Sequence, residues 1–203
     1  MPKIVDHDAR RFAISEATAG LIAQGGLEAV TIREIARVSG YTKGVIGHYF
    51  EDKEELIDGA LAWANRCYEQ RVMTATRGQR GVMALRRRIE ATVPGTKRVR
   101  DEWKVRLVFW SMAAIKPDLR RSQQKRFALA VESFEGDLRQ AIALGEIAAD
   151  VDAHTTARHL VNMITGISTA ALHNSAVYTP ATIAAEIDFL VHDFCAAKEL
   201  ETP

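Results

Sequence analysis

Residues 3–93 contain no proline, and the five prolines of the chain stand at 2, 94, 117, 180 and 203. A proline inside a helix removes a backbone donor and clashes with the preceding turn, so it ends or kinks the helix. The wide intervals between prolines therefore leave room for long helices. Within them the apolar residues recur at helical spacing, and no strand-like alternation of useful length occurs. The expected fold class is all-α.

Caps and stops divide the chain into elements. A first helix is expected over 8–24, with Phe12, Ala13, Ala17, Leu21 and Ile22 on one face and a stop at Gly25-Gly26. Thr31, followed three residues later by Glu34, reads as a capping box opening "IREIARVS". Gly40 ends that helix, and Thr42 caps the next, "KGVIGHYF". Asp52, with Glu55 three residues on, opens a helix running to about 76. Further helices are expected near 79–92, 98–115, 118–145, 153–173 and 181–199.

Composition narrows the function classes. Hydrophobic residues make up 47% and charged residues 26%, the balance of a soluble globular chain. No run of 18 apolar residues suggests a membrane span, and "MPKIVDHDARRF" lacks the apolar core of a signal peptide, so a cytoplasmic protein is expected. Cys67 and Cys195 form no C-x-x-C pair and read as small apolar residues. His154, His159 and His173 lie near Asp150 and Asp152, but His154 and His159 are five apart and share no helix face. No metal or cofactor is expected. A Gly-rich phosphate loop, a nucleophile elbow and a zinc signature are all missing from the sequence, so an enzyme is not expected.

The net charge is +1, so any nucleic-acid surface must be local. One stretch qualifies. Ala36, Gly40 and Ile46 have the spacing of a helix-turn-helix: a small residue for close crossing, a glycine for the turn, and an apolar residue beneath with Ile32 and Ile35. Between Ile35 and Phe50 no acidic side chain occurs, whereas Arg37, Lys43 and His48 do. Thr42, Lys43 and Gly44 open the second helix, the end that enters the major groove in such motifs.

The stretch "TIREIARVSGYTKGVIGHYFEDKEEL" resembles the DNA-binding segment of TetR-type transcriptional regulators, densely over about residues 8–60. The resemblance implies a helix-turn-helix DNA-binding domain over 1–52 and a larger helical ligand-binding and dimerisation domain over 53–203. By the same resemblance, Thr31, Tyr49 and Lys53 match phosphate-holding positions. Thr42, Lys43, Gly44 and Val45 match positions near base edges or the adjacent backbone, and His48 matches one turned to the backbone. Most members carry tyrosine where this chain has Gly47. The form "GVIGHYF" is closer to "GIISHYF" of BetI-like repressors of betaine synthesis.

The remainder of the chain suggests a partner and a sensor. The helix over 153–173 is apolar around most of its circumference, and the last helix adds further apolar positions. A homodimer covering Leu160, Ile164, Ile187, Leu190, Val191 and Phe194 in a four-helix bundle is the expectation. Trp103, Phe109, Trp110 and Met112, with Phe127 and Met163, are the expected small-molecule pocket, and their rings suit a quaternary ammonium by cation–π attraction. The basic run Arg86 to Arg88 with Lys97, Arg98 and Arg100 reads as a solvated face balanced by Glu90, Asp101 and Glu102. The expected function is a ligand-released repressor acting as a homodimer on a palindromic DNA operator. The alternative is a non-specific DNA-coating or protein-interaction dimer without an effector.

Overall fold

The computed structural model describes residues 7–195, with side chains as far as His192. Every regular element among the described residues is helical: α1 His7–Gly25, a 3₁₀ turn Leu27–Ala29, α2 Ile32–Ser39, α3 Lys43–Tyr49, α4 Lys53–Thr76, α5 Gly81–Thr92, α6 Lys97–Ile115, α7 Pro117–Ala143, α8 Ala153–His173 and α9 Pro180–Cys195. These match the expected elements within two or three residues where they are described. Cys195 is the last described residue, so the end expected near 199 lies outside that range. The helices form two compact units, residues 7–67 with 100–115 and residues 68–99 with 116–195. Among the described residues no helix is long and apolar enough to cross a membrane.

In the first unit, one apolar cluster joins Ile14, Leu21 and Ile22 of α1, Ile35 of α2, Ile46 and Tyr49 of α3, and Leu56, Ile57 and Trp63 of α4. Val105 and Phe109 of α6 belong to the same cluster. A core that ran only to residue 52 would lack all the α4 and α6 residues of this set. Burying a large aliphatic side chain stabilises by about 1.5–3 kcal/mol, so the α4 and α6 residues are a substantial share of what holds the short helices. Ile32, expected beneath the pair with Ile35 and Ile46, is instead 44% exposed at the first position of α2.

The second unit packs α7 against α5 and α8, and α9 against α5 and α8. Arg80, the N-cap residue of α5, makes no side-chain cap. The cap comes from elsewhere: the Gly81 N–H donates to Gln140 Oε1 at 2.9 Å and the Val82 N–H to Glu146 Oε2 at 2.7 Å. A carboxylate there also complements the helix dipole. Arg88 grips Asp137 with both arms of its fork, Nε at 2.6 Å and Nη2 at 3.2 Å, and both side chains are mostly buried. Arg86 reaches Asp188 at 2.5 Å and Glu90 at 3.0 Å. The basic run is therefore spent in part on joining α5 to α7 and α9.

Burial bears on two of the expectations. Leu160, Ile164, Ile187 and Leu190 are buried within this one chain, and Val191 is half-buried. An apolar periodicity shows that a face must be covered but not by which chain, and here the chain covers these four itself. The side chain of Phe194 lies outside the described residues. Outward on the same helices are Met163 of α8 and Phe189 of α9. Burial also differs among the six residues expected to line a pocket. Phe109 is locked in the first unit's apolar cluster and Trp103 is buried, while Trp110 and Met112 are half-buried. Phe127 and Met163 belong to the second unit and are each 36% exposed.

Leu190→Arg and Phe189→Arg separate these roles. Leu190 is 0% exposed and Phe189 is 56% exposed. The first substitution buries an unpaired charge, which costs several kcal/mol, and is expected to abolish cooperative thermal unfolding monitored by circular dichroism. The second is expected to leave the fold intact.

Candidate nucleic-acid interface

The turn between α2 and α3 is set by three local devices. Thr31 stands in an extended conformation before α2, and its Oγ1 accepts the Glu34 N–H at 3.2 Å. The Glu34 carboxylate turns to Arg37 Nε at 2.8 Å. Gly40 has φ 74° and ψ 5°, the left-handed region that side chains disfavour, and its N–H closes on the Ala36 carbonyl at 3.1 Å. Thr42 then caps α3, with its Oγ1 accepting the Val45 N–H at 3.3 Å. Ile35 and Ile46 lie fully buried beneath the corner.

This geometry decides which face of α3 points outward. Thr42, Lys43, Gly44, Gly47 and His48 are exposed, and Val45 is half-buried. Thr31 and Lys53, at the starts of α2 and α4, are exposed as well. Tyr49 differs: it is 8% exposed, its ring 5.2 Å from that of His7 and 5.3 Å from that of His48, the latter edge-on. Seven of the eight residues expected to meet DNA thus have surface to offer, and Tyr49 serves mainly as core.

The two glycines of α3 have no internal explanation. A Cβ at Gly47 would meet nothing within 4 Å, and one at Gly44 only Thr42 Oγ1 at 4.0 Å. Gly59 of α4 is the opposite case. There a Cβ would lie 2.7 Å from Ser15 Oγ and 2.8 Å from Phe50 Cε1, so glycine is what lets α4 approach α1 and the end of α3.

Sequence reasoning missed Arg11. Its Nη1 donates to the Tyr49 carbonyl, its Nη2 donates to Glu55 Oε1 at 2.5 Å, and its Cζ lies 4.3 Å from the centroid of the Phe50 ring. Glu55 Oε2 accepts the Glu51 N–H at 2.7 Å, and the Glu55 N–H donates to Asp52 Oδ1 at 2.8 Å. The bond from Arg11 foremost, then that from Glu51, holds the Glu55 carboxyl below the ordinary carboxylate value. A carboxylate whose folded value is depressed contributes stability above its unfolded value, and loses it as pH falls through the folded one. No local motif announces this bridge, because Arg11 and its partners are about forty residues apart.

Comparison with known proteins decides the family. The description "Bacterial regulatory proteins, tetR family" matches residues 14–60, and "BetI-type transcriptional repressor, C-terminal" matches residues 82–196. The chain belongs to the TetR family. The BetI-type portion covers more than half of it. The HTH-type transcriptional regulator BetI 1 of Chromohalobacter salexigens is 33% identical over 131 residues, which is 61% of this chain and 62% of that one. The chain thus spans somewhat less than two thirds of that curated relative. A putative transcriptional regulator from Saccharomonospora viridis, solved in complex with choline, shares the fold with a TM-score of 0.81 and 23% identity, over 91% of this chain and 96% of that one. AibR, solved with isovaleryl coenzyme A and operator DNA, aligns with a TM-score of 0.65 and 23% identity, over 92% and 98%. These TetR-family relatives are transcriptional regulators, not enzymes.

Gly47→Ala is expected to stabilise the protein by about 0.5–1 kcal/mol, since alanine is the better helix former and has open space. Gly59→Ala is expected to destabilise it by about 1–3 kcal/mol through overpacking. Urea midpoints at unchanged m-value check both.

Proposed function

We propose that the chain is a homodimeric repressor that reads a palindromic operator through α3 and is released by a small organic effector. The observation that carries the reading is the outward face of α3. It is free of acidic side chains, begins with a capped N-terminus carrying Lys43, and holds two glycines that nothing inside the protein requires. Bare backbone on that face would let the helix approach base edges closely, and free N–H groups at its start suit a phosphate. Thr31, Thr42, Val45, His48 and Lys53 complete the surface in this reading. Two copies would place two such helices about 34–36 Å apart, one turn of DNA. The outward Met163 and Phe189 are the contacts proposed for the second copy, in place of the buried leucines and isoleucines.

For the effector, the support lies on α6. Trp103 and Trp110 meet edge to face, ring centroids 5.5 Å apart and planes at 88°. Arg106 already sets a cation 5.6 Å from the Trp103 ring centroid, and the fully buried Glu102 has its Oε2 3.7 Å from Arg106 Nη2. A quaternary ammonium would use the Trp110 face or displace Arg106. Choline, bound by the related Saccharomonospora regulator, is the first compound to test. Binding weakens the DNA complex only if the ligand prefers the conformation that reads the operator less well.

Lys43→Ala tests the DNA reading. Operator affinity is expected to fall about tenfold and the salt slope to drop by about one, while stability changes by less than about 0.5 kcal/mol. Loss of stability at unchanged affinity would contradict it. In a gel-shift assay with the operator, choline is expected to release the wild-type protein; if no quaternary ammonium does so, the effector assignment falls and the DNA assignment stands.

A further inference from the structure

We propose that Arg11 is a positioning residue for DNA reading, the tertiary C-terminal cap that fixes the direction in which α3 is presented. The proposal rests on the reading of α3 as the recognition helix.

The last carbonyls of any helix lack partners within it. In α3 the Tyr49 carbonyl is one of these, and Arg11 of α1 supplies its donor. The other arm of the same guanidinium holds Glu55 of α4, and its flat face lies over Phe50, the C-cap residue of α3. Glu55 in turn holds the Glu51 N–H of the α3–α4 corner. One planar group therefore ties three helices where α3 ends.

A helix of only seven residues needs more than one fixed point to define its axis. Its start is fixed by the Gly40 turn and the Thr42 cap, and Ile46, Tyr49 and Phe50 are buried beneath it. Apolar packing is non-directional; Arg11 adds the directed polar contact at its last turn. Its side chain is 44% exposed, so the ion pair adds little to stability; what it supplies is geometry. Lysine is a poor substitute: its ammonium has donors enough for two acceptors, but it lacks the rigid planar fork that fixes their directions and the flat face that lies over Phe50. Glu55 points to the same role: a carboxylate near a DNA-facing helix repels phosphate, so its presence is explained by what it holds rather than by charge.

The test uses the full chain with Arg11→Ala, Arg11→Lys, Glu55→Gln and the Arg11→Ala/Glu55→Gln double variant. Affinities for the selected operator and for random DNA are measured across a salt series. Amide hydrogen exchange is followed over residues 43–50. Arg11→Ala and Glu55→Gln are each expected to weaken operator binding by about tenfold, with the double variant little worse than either, as for two members of one network. Melting temperature should move by only a few degrees, binding to random DNA should stay unchanged, and amides of α3 should exchange faster than those of α1. Arg11→Lys should restore neither affinity nor protection.

The informative contrast is Glu55→Gln, which removes a negative charge. Were Arg11 simply a phosphate contact, Glu55→Gln would leave affinity unchanged or raise it, and Arg11→Ala would lower the salt slope by about one. That result overturns the proposal, as does unchanged exchange over residues 43–50. If the wild-type chain prefers no sequence, the DNA-reading assignment itself fails; a sequence-specific wild type with unaffected variants sinks the positioning role alone.

Discussion

The burial of Ile46 beneath α3 is the contact on which the functional surface depends. Seven residues with two interior glycines are far too short and too weak to form a helix in isolation, since nucleation is unfavourable and each glycine costs about 1 kcal/mol against alanine. The helix exists because Ile46 and Tyr49 are drawn into the same cluster as Ile14, Ile35, Leu56 and Phe109. Packing on the inner side frees the outer side from any structural duty. Thr42, Lys43, Gly44, Gly47 and His48 are therefore available to a partner, and their composition suits a polyanion.

The same cluster explains why α2 and α3 are not self-contained. Gly59 allows α4 to lie against Ser15 and Phe50 without a side chain between them. Arg106 of α6 donates to the Ala64 carbonyl of α4 at 3.0 Å, and Val105 and Phe109 fill the space beside it. A displacement of α6 within this unit would be felt by α4, and through Phe50 and Arg11 by the end of α3. An effector bound on α6, as proposed, would have a physical route to the proposed reading surface, in packed side chains rather than in one flexible loop.

Much of this was legible in the sequence, and the failures have a common cause. Caps and turns are local chemistry, so Thr31, Gly40, Thr42 and Asp52 could be placed from their neighbours alone, and the helices followed. The burial of Ile35 and Ile46 was readable from spacing. Arg11 was not, because its partners Tyr49 and Glu55 come from other helices. Leu160, Ile164, Ile187 and Leu190 were recognised as needing cover, yet periodicity cannot distinguish cover by α5, α7 or α9 from cover by a second chain. Aromatic type likewise suggested Phe109 as a pocket wall, and could not show that it also packs into the first unit's apolar cluster. Glu102, read as a solvated counter-charge, is fully buried beside Arg106, a placement that residue type alone argues against.

The central claim is that the outward face of α3 reads a particular DNA sequence as one of a symmetric pair. Selection of binding sites from random DNA, followed by hydroxyl-radical footprinting of the enriched sequence, tests it most directly. The account predicts an inverted repeat with two protected half-sites whose centres lie about one helical turn apart. Enrichment of no sequence, with protection spread evenly along the duplex and lost on adding salt, would contradict it.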